Sequence, residues 1–255
     1  MNQEMIYHFV SIASSIICVL IAFLLLDIRS YRKMVKEKYP QVIPHRYITA
    51  RISLGIAFVL LGLLTAVQTI FEMPDETETF IPLSGLIIAS SQALLFTMAI
   101  LAFYNSKMAD RRLILVNIIP FACLIIMYVI AGDRADFQRE LRQMWLVLYF
   151  IQLLVLTVAF LKARKQYLQV LRSHLGKSPM CARYEQRELV PLFIGTLFIG
   201  IYALVSFFFT ERWMLSVFII VYTIYYVAVG IYTLKYADKG PIITDLSMSE
   251  EEFQA

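Results

Sequence analysis

Apolar residues arrive along this chain in long blocks. Seven uninterrupted hydrophobic runs, at 5–26, 52–71, 81–103, 113–131, 144–161, 189–209 and 214–234, are separated by short segments that carry most of the charge. As helices, runs of this length cover about 30 Å, the thickness of a bilayer's hydrocarbon layer. Within a bilayer each must be helical, because no water is present there to satisfy a bare backbone N–H or C=O. The pattern predicts an all-α integral membrane protein. Its fold would be a seven-transmembrane helix bundle over residues 1–236, followed by a cytoplasmic linker at 237–255.

Composition agrees with the pattern. Hydrophobic residues make up 60% of the chain and charged residues 16%, against roughly a quarter charged in soluble domains. No basic region precedes the first run and no small-residue cleavage signal follows it, so it reads as a retained helix and not a removed signal peptide. Cys18 and Cys123 fall inside apolar runs and Cys181 in a basic loop, which leaves no external disulfide pair.

Orientation follows from Lys and Arg. Alternate inter-helix segments hold nineteen on one side and four on the other. The positive-inside rule puts the nineteen in the cytoplasm, so the N-terminus lies outside and the C-terminus inside, in a membrane crossed several times. The loop 72–80 suits the outer face, with Glu72, Asp75, Glu76 and Glu78 and no basic residue. Trp145 and Trp213 start the fifth and seventh runs at that boundary, where interfacial anchors belong.

Candidate chemistry in the spans is sparse. The third run places Gly85, Ala89, Ala93 and Thr97 on one helical face, a stripe that lets a neighbouring backbone approach and makes this helix central. Gln68, Gln92, Asn117 and Gln152 are the uncharged polar groups at depth, with His8 near the outer end of the first run. Each should face the interior, as interhelical hydrogen bonds or as ligand contacts. Tyr222, Tyr225 and Tyr226 form a stripe on the seventh helix, as packing or as the wall of a pocket for a small apolar or aromatic ligand. With Tyr149, these give the ligand-binding candidates His8, Gln68, Gln92, Tyr149, Gln152, Tyr222, Tyr225 and Tyr226, of which His8, Gln68, Tyr149 and Gln152, with the Glu72–Glu78 loop, cluster toward the outer half.

Several classes are excluded by what these spans lack. Proton-coupled transport needs ionisable groups at depth, and no run holds Asp, Glu, Lys or Arg near its middle. The sixth and seventh runs contain no lysine for a retinal Schiff base, and Phe103-Tyr104-Asn105 stands where a G-protein-coupled receptor carries Asp-Arg-Tyr. The histidines His8, His45 and His174 lie in separate segments, so no zinc site or Ser/His pair is expected, and the chain reads as neither an enzyme nor a cofactor binder.

The cytoplasmic segments carry further signals. Basic amphipathic extensions after the first run, up to Pro40, and at 162–175, ending at Gly176, suit anionic lipid headgroups or the relay of helix movement. In the tail, Ser249 followed by Glu252 is a capping box that opens a helix, so an output domain is expected to continue past Ala255. The exit Asp27-Ile-Arg-Ser-Tyr31, the aromatic end of the seventh run (Tyr222-Thr-Ile-Tyr-Tyr226 through Tyr236) and this acidic helix start resemble the membrane portion of Bacteroidota signalling proteins. In those proteins a multi-helix membrane domain precedes an AraC-type helix-turn-helix domain or, in relatives, a histidine kinase. The resemblance implies a transmembrane sensor of a transcription regulator, multi-pass in a bacterial inner membrane. Its partners would be membrane lipid, a small ligand, DNA through a further C-terminal domain, and a second copy of the chain. A histidine-kinase sensor, a small facilitative transporter and a lipid-modifying enzyme are the alternatives.

Overall fold

The computed structural model describes residues 3–29, 45–71, 80–104, 111–132, 134–175, 189–206, 208 and 212–236. Among them there are seven helices and no strand: α1 (Gln3–Leu26), α2 (His45–Phe71), α3 (Phe80–Tyr104), α4 (Arg111–Ala131), α5 (Ala135–Leu175), α6 (Val190–Ser206) and α7 (Arg212–Tyr236). Six are long and apolar enough to cross a membrane. The exception, α6, is apolar throughout and has 17 residues, at the short end of the spanning range. The acidic loop, the extension toward Pro40, the Gly176 cap and the 249–252 capping box lie outside the described residues.

Helix boundaries follow local chemistry. Pro82 and Pro191 sit in the first turns of α3 and α6, where a missing N–H costs nothing. Gly132, with φ of 53°, takes the left-handed position after α4 and donates its N–H to the Val129 carbonyl at 3.3 Å. The α4–α5 connection is therefore a tight hairpin. Pro120 lies inside α4, as membrane helices tolerate.

The burial pattern is inside-out relative to a soluble protein. On α1 the buried face is Tyr7, Ser11, Ser14, Ser15 and Cys18, while Phe9 and Phe23 are 70% and 68% exposed. Hydrocarbon solvates the large apolar side chains, so small and polar residues turn inward and let backbones approach. Ser15 Oγ donates to the Gly62 carbonyl at 2.6 Å, and a Cβ at Gly62 would press on Val19 and the Ser15 carbonyl. Ser14 Oγ meets Thr223 Oγ1 at 2.6 Å across to α7.

Paired contacts fix helix direction. Ser14 with Thr223 and Ile21 beside Gly230 run α1 and α7 parallel, whereas Phe160 stacked on Phe193 and Tyr149 bonded to Gly200 run α5 and α6 antiparallel. Neighbours in sequence alternate up and down. α3 touches α2, α5 and α6, and 72% of its span is buried against 17% for α4, which packs on α5 at the periphery. The expected central place of the third helix holds.

Arg51 is one of the nineteen basic residues that the charge count puts in the cytoplasmic segments. In the fold it is buried, and its guanidinium closes the end of α1, with Nε to the Leu25 carbonyl and Nη2 to that of Leu24, each at 2.6 Å. A cation on orphaned carbonyls at a helix C-terminus answers both their hydrogen bonds and the dipole. Arg51→Leu is expected to destabilise the protein by about 2 kcal/mol, the scale of hydrogen bonds to a charged group. Thermal unfolding in nanodiscs measures it, with Arg51→Lys recovering only part because it lacks the planar fork.

Two further expectations change. Trp145 is 1% exposed and packs its ring on Phe121 with centroids 5.4 Å apart, so it is a core residue between α4 and α5 and not an interfacial anchor; Trp213 is 50% exposed. The cause is the place of Trp145 on the buried face of α5, in line with Leu141, Tyr149 and Leu156. At 41 residues α5 is about 60 Å long at 1.5 Å per residue, twice the hydrocarbon thickness, and it includes the predicted extension at 162–175.

Candidate functional site

Polar groups inside the bundle mostly join helices. Gln92 Nε2 donates to the Ala57 carbonyl on α2 at 3.3 Å, and Gln152 Nε2 to the Ser90 carbonyl on α3 at 3.2 Å. Tyr149 Oη donates to the Gly200 carbonyl on α6 at 3.1 Å. Tyr225 Oη bonds the Leu192 carbonyl and lies 3.0 Å from Thr196 Oγ1, which clasps α7 to α6. Gly195 makes room for this clasp, since a Cβ there would run into the Tyr225 ring. Asn117 donates to the Leu113 carbonyl of its own helix at 2.7 Å.

Between these clasps lies a cavity of about 710 Å³, within the range of small-molecule sites. Its walls come from α1, α2, α3, α5, α6 and α7. The α5 wall is a single helical stripe of Arg139, Arg142, Gln143, Leu146 and Tyr149, at spacings that keep one face inward. α7 contributes Leu215, Phe218, Ile219, Tyr222 and Tyr226 at the same periodicity. Both stripes cover on the order of 15 Å along the helix axis, half the hydrocarbon thickness. The cavity therefore occupies one half of the bundle, where α1, α3, α5 and α7 begin.

Small side chains explain why space exists there. Gly85, Ala89 and Ala93 of α3 line the cavity, together with Gly200 and Ala203 of α6. The small-residue stripe of the third helix is thus largely a cavity wall and not the close helix contact expected of it. Below the space, Tyr226 stacks on Phe96 with ring centroids 3.8 Å apart, and Phe58 meets both edge-on at 6.4 and 5.4 Å. This aromatic floor separates the cavity from the other half of the bundle.

The cavity is chemically uneven. Arg139 and Arg142 stand at one end, and tyrosine and aliphatic groups fill the other. Gln92 Oε1, Gln152 Oε1 and Arg142 Nε are buried atoms with no hydrogen-bond partner, and of these three residues Gln92 and Arg142 line the space. A buried acceptor or donor left open costs free energy. Among the described residues no group of three or more His, Cys, Asp or Glu could hold a metal.

Of the eight ligand candidates read from the sequence, Gln68, Gln92, Tyr149, Tyr222 and Tyr226 line the cavity. His8, Gln152 and Tyr225 do not. His8 packs edge-on against Tyr7, centroids 5.6 Å apart, and it is Tyr7 that reaches the space. Gln152 and Tyr225 spend their donors on the α5–α3 and α7–α6 joints.

Sequence reasoning missed Arg139, Arg142 and Gln143, which it placed in a loop. The signal was present as spacing: 139, 142, 143, 146 and 149 form one helical face once α5 is extended N-terminally beyond its apolar run. Tyr7, Phe218 and the apolar residues around them had no signal, since nothing separates them from ordinary packing positions. In comparisons with known proteins, no family model, no curated protein and no solved structure matches this chain.

Proposed function

We propose that this chain is the ligand-sensing membrane unit of a signalling protein, with α7 as the output element. The observation that carries the proposal is the α7 stripe from Leu215 to Tyr226, which walls a ligand-sized cavity on a helix that leads directly into residues 237–255. A guest that prefers one arrangement of α7 shifts the population of that arrangement, and only such a difference in affinity transmits a signal. The bundle crosses the membrane seven times with the cavity half outside, a placement supported by the nineteen-to-four division of Lys and Arg. The membrane is the bacterial inner membrane.

The resemblance at Asp27–Tyr31, the aromatic end of α7 and the acidic 249–252 segment support an AraC-type regulator as the protein this unit serves. Such domains act on paired half-sites, so a homodimer belongs to the same proposal. The test is transcript profiling of cells whose chromosomal gene is intact or carries Ala93→Phe, which obstructs the cavity. A set of transcripts that responds to an added amphiphile only with the intact gene supports sensing. Identical responses with both genes, at equal protein level, remove it. Uptake of the amphiphile into proteoliposomes by the purified chain supports a facilitative transporter instead.

A further inference from the structure

We infer that the cavity takes a negatively charged amphiphile, its acidic head held by Arg139 and Arg142 and its apolar body laid inward against Leu146, Phe218 and Tyr222. The inference rests on the sensing proposal for the idea of a ligand and adds the ligand's chemical class. Arg139 and Arg142 lie three residues apart on the face of α5 that continues into Leu146 and Tyr149, so charge and hydrocarbon are aligned along one wall. Neither arginine makes an ion pair among the described residues, and Arg142 is half-buried with Nε unpartnered. The acidic residues nearby on the same helix, Asp136 and Glu140, are exposed and do not line the cavity.

The alternatives fit less well. A cationic head would be repelled by two guanidinium groups. A neutral one leaves Arg142 without the charge-assisted hydrogen bonds that a carboxylate or phosphate oxygen supplies, bidentate where geometry allows. The acid could arrive as a free amphiphile or as the headgroup of an anionic lipid whose chain enters the bundle. Both use the same recognition.

The chain in phosphatidylcholine nanodiscs, titrated with laurate, dodecanol and dodecyltrimethylammonium, tests this. Laurate is expected to bind saturably and about tenfold or more tighter than dodecanol, the scale of one charge-assisted hydrogen bond, with the cation weakest. Arg142→Gln should bring laurate to the level of dodecanol without changing dodecanol, and Arg142→Lys should keep part of the preference. If Arg142→Gln does not fold, Arg139→Gln gives the same reading. Ala89→Phe should abolish binding of laurate. A loss of laurate affinity in phosphatidylglycerol discs identifies lipid as the occupant, and an unchanged affinity identifies the free amphiphile.

Equal affinity for laurate and dodecanol, or a laurate preference that survives both arginine variants, overturns the anionic head while leaving a neutral ligand in the cavity. Laurate binding unaffected by Ala89→Phe places it elsewhere and overturns the proposal. The sensing reading is judged apart from all of these, by the transcript response to Ala93→Phe.

Discussion

Replacing Trp145 with alanine is expected to cost the bundle about 2–4 kcal/mol, read as a lowered midpoint in a thermal or denaturant series in nanodiscs. Trp145 is among the largest fully buried side chains of the protein and fills the seam between α4 and α5 beside Phe121. Two terms make up the usual penalty for truncating a buried aromatic. One is lost transfer from water, and it shrinks here because helices separated within a bilayer still bury their side chains in lipid. The other is the cavity left behind and the dispersion contacts it forfeits, and it remains in full. Trp213→Ala, at a half-exposed site, should change stability by about 1 kcal/mol or less. Equal effects from the two substitutions would show that Trp145 is not in the core.

The second large effect is one of opposite signs. Ala93→Phe places a ring in the cavity between Tyr226 and Tyr149, in space the native protein leaves open. Filling a void commonly stabilises a protein by about 1 kcal/mol, and here it should raise the unfolding midpoint or leave it unchanged. The same ring takes the volume a ligand needs, so affinity for a cavity-bound amphiphile should fall by about a hundredfold or more, close to 3 kcal/mol. Equilibrium binding and unfolding on one preparation measure both. Lost binding with preserved stability is the signature of an occupied site. A destabilised variant would mean that the space collapses around Ala93 and is not kept open by the surrounding clasps.

The helices themselves were legible because hydrophobic runs in a bilayer have one backbone solution, and six of the seven described helices have the expected length and apolarity. Ends were less legible. α2 begins at His45 and α5 at Ala135, both ahead of their apolar runs, because helix continues as long as backbone bonds are made and does not stop at the membrane boundary. That difference moved Arg139 and Arg142 from a loop to a cavity wall. Polar depth was a fair guide to the interior: Gln92, Gln152 and Asn117 are all buried. It could not say which polar atoms a joint between helices would consume. Gln92 and Gln152 each give their amide to a carbonyl of a neighbouring helix and leave a buried oxygen without a partner, and Tyr225 is spent on the α7–α6 joint.

The Gly85, Ala89 and Ala93 stripe shows a limit of a different kind. Small residues at four-residue spacing permit a close neighbour but do not supply one. In this bundle Gly85, Ala89 and Ala93 line the cavity that α5, α6 and α7 also wall. The same sequence signal therefore reads as tight packing or as a void, depending on residues far away in the chain.

On the sensing proposal occupancy of the cavity moves α7, and a pair of spin labels measures that movement. Ile231 on α7 and Leu161 on α5 are both exposed, at 45% and 54%, and lie beyond the aromatic floor on the side away from the cavity. With labels at these two positions in a background free of Cys18, Cys123 and Cys181, the inter-label distance should shift by about 1–2 Å when laurate saturates the site, the usual size of a signalling helix displacement. The shift should be absent in Ala93→Phe. A distance distribution that is unchanged while laurate is bound would contradict the claim.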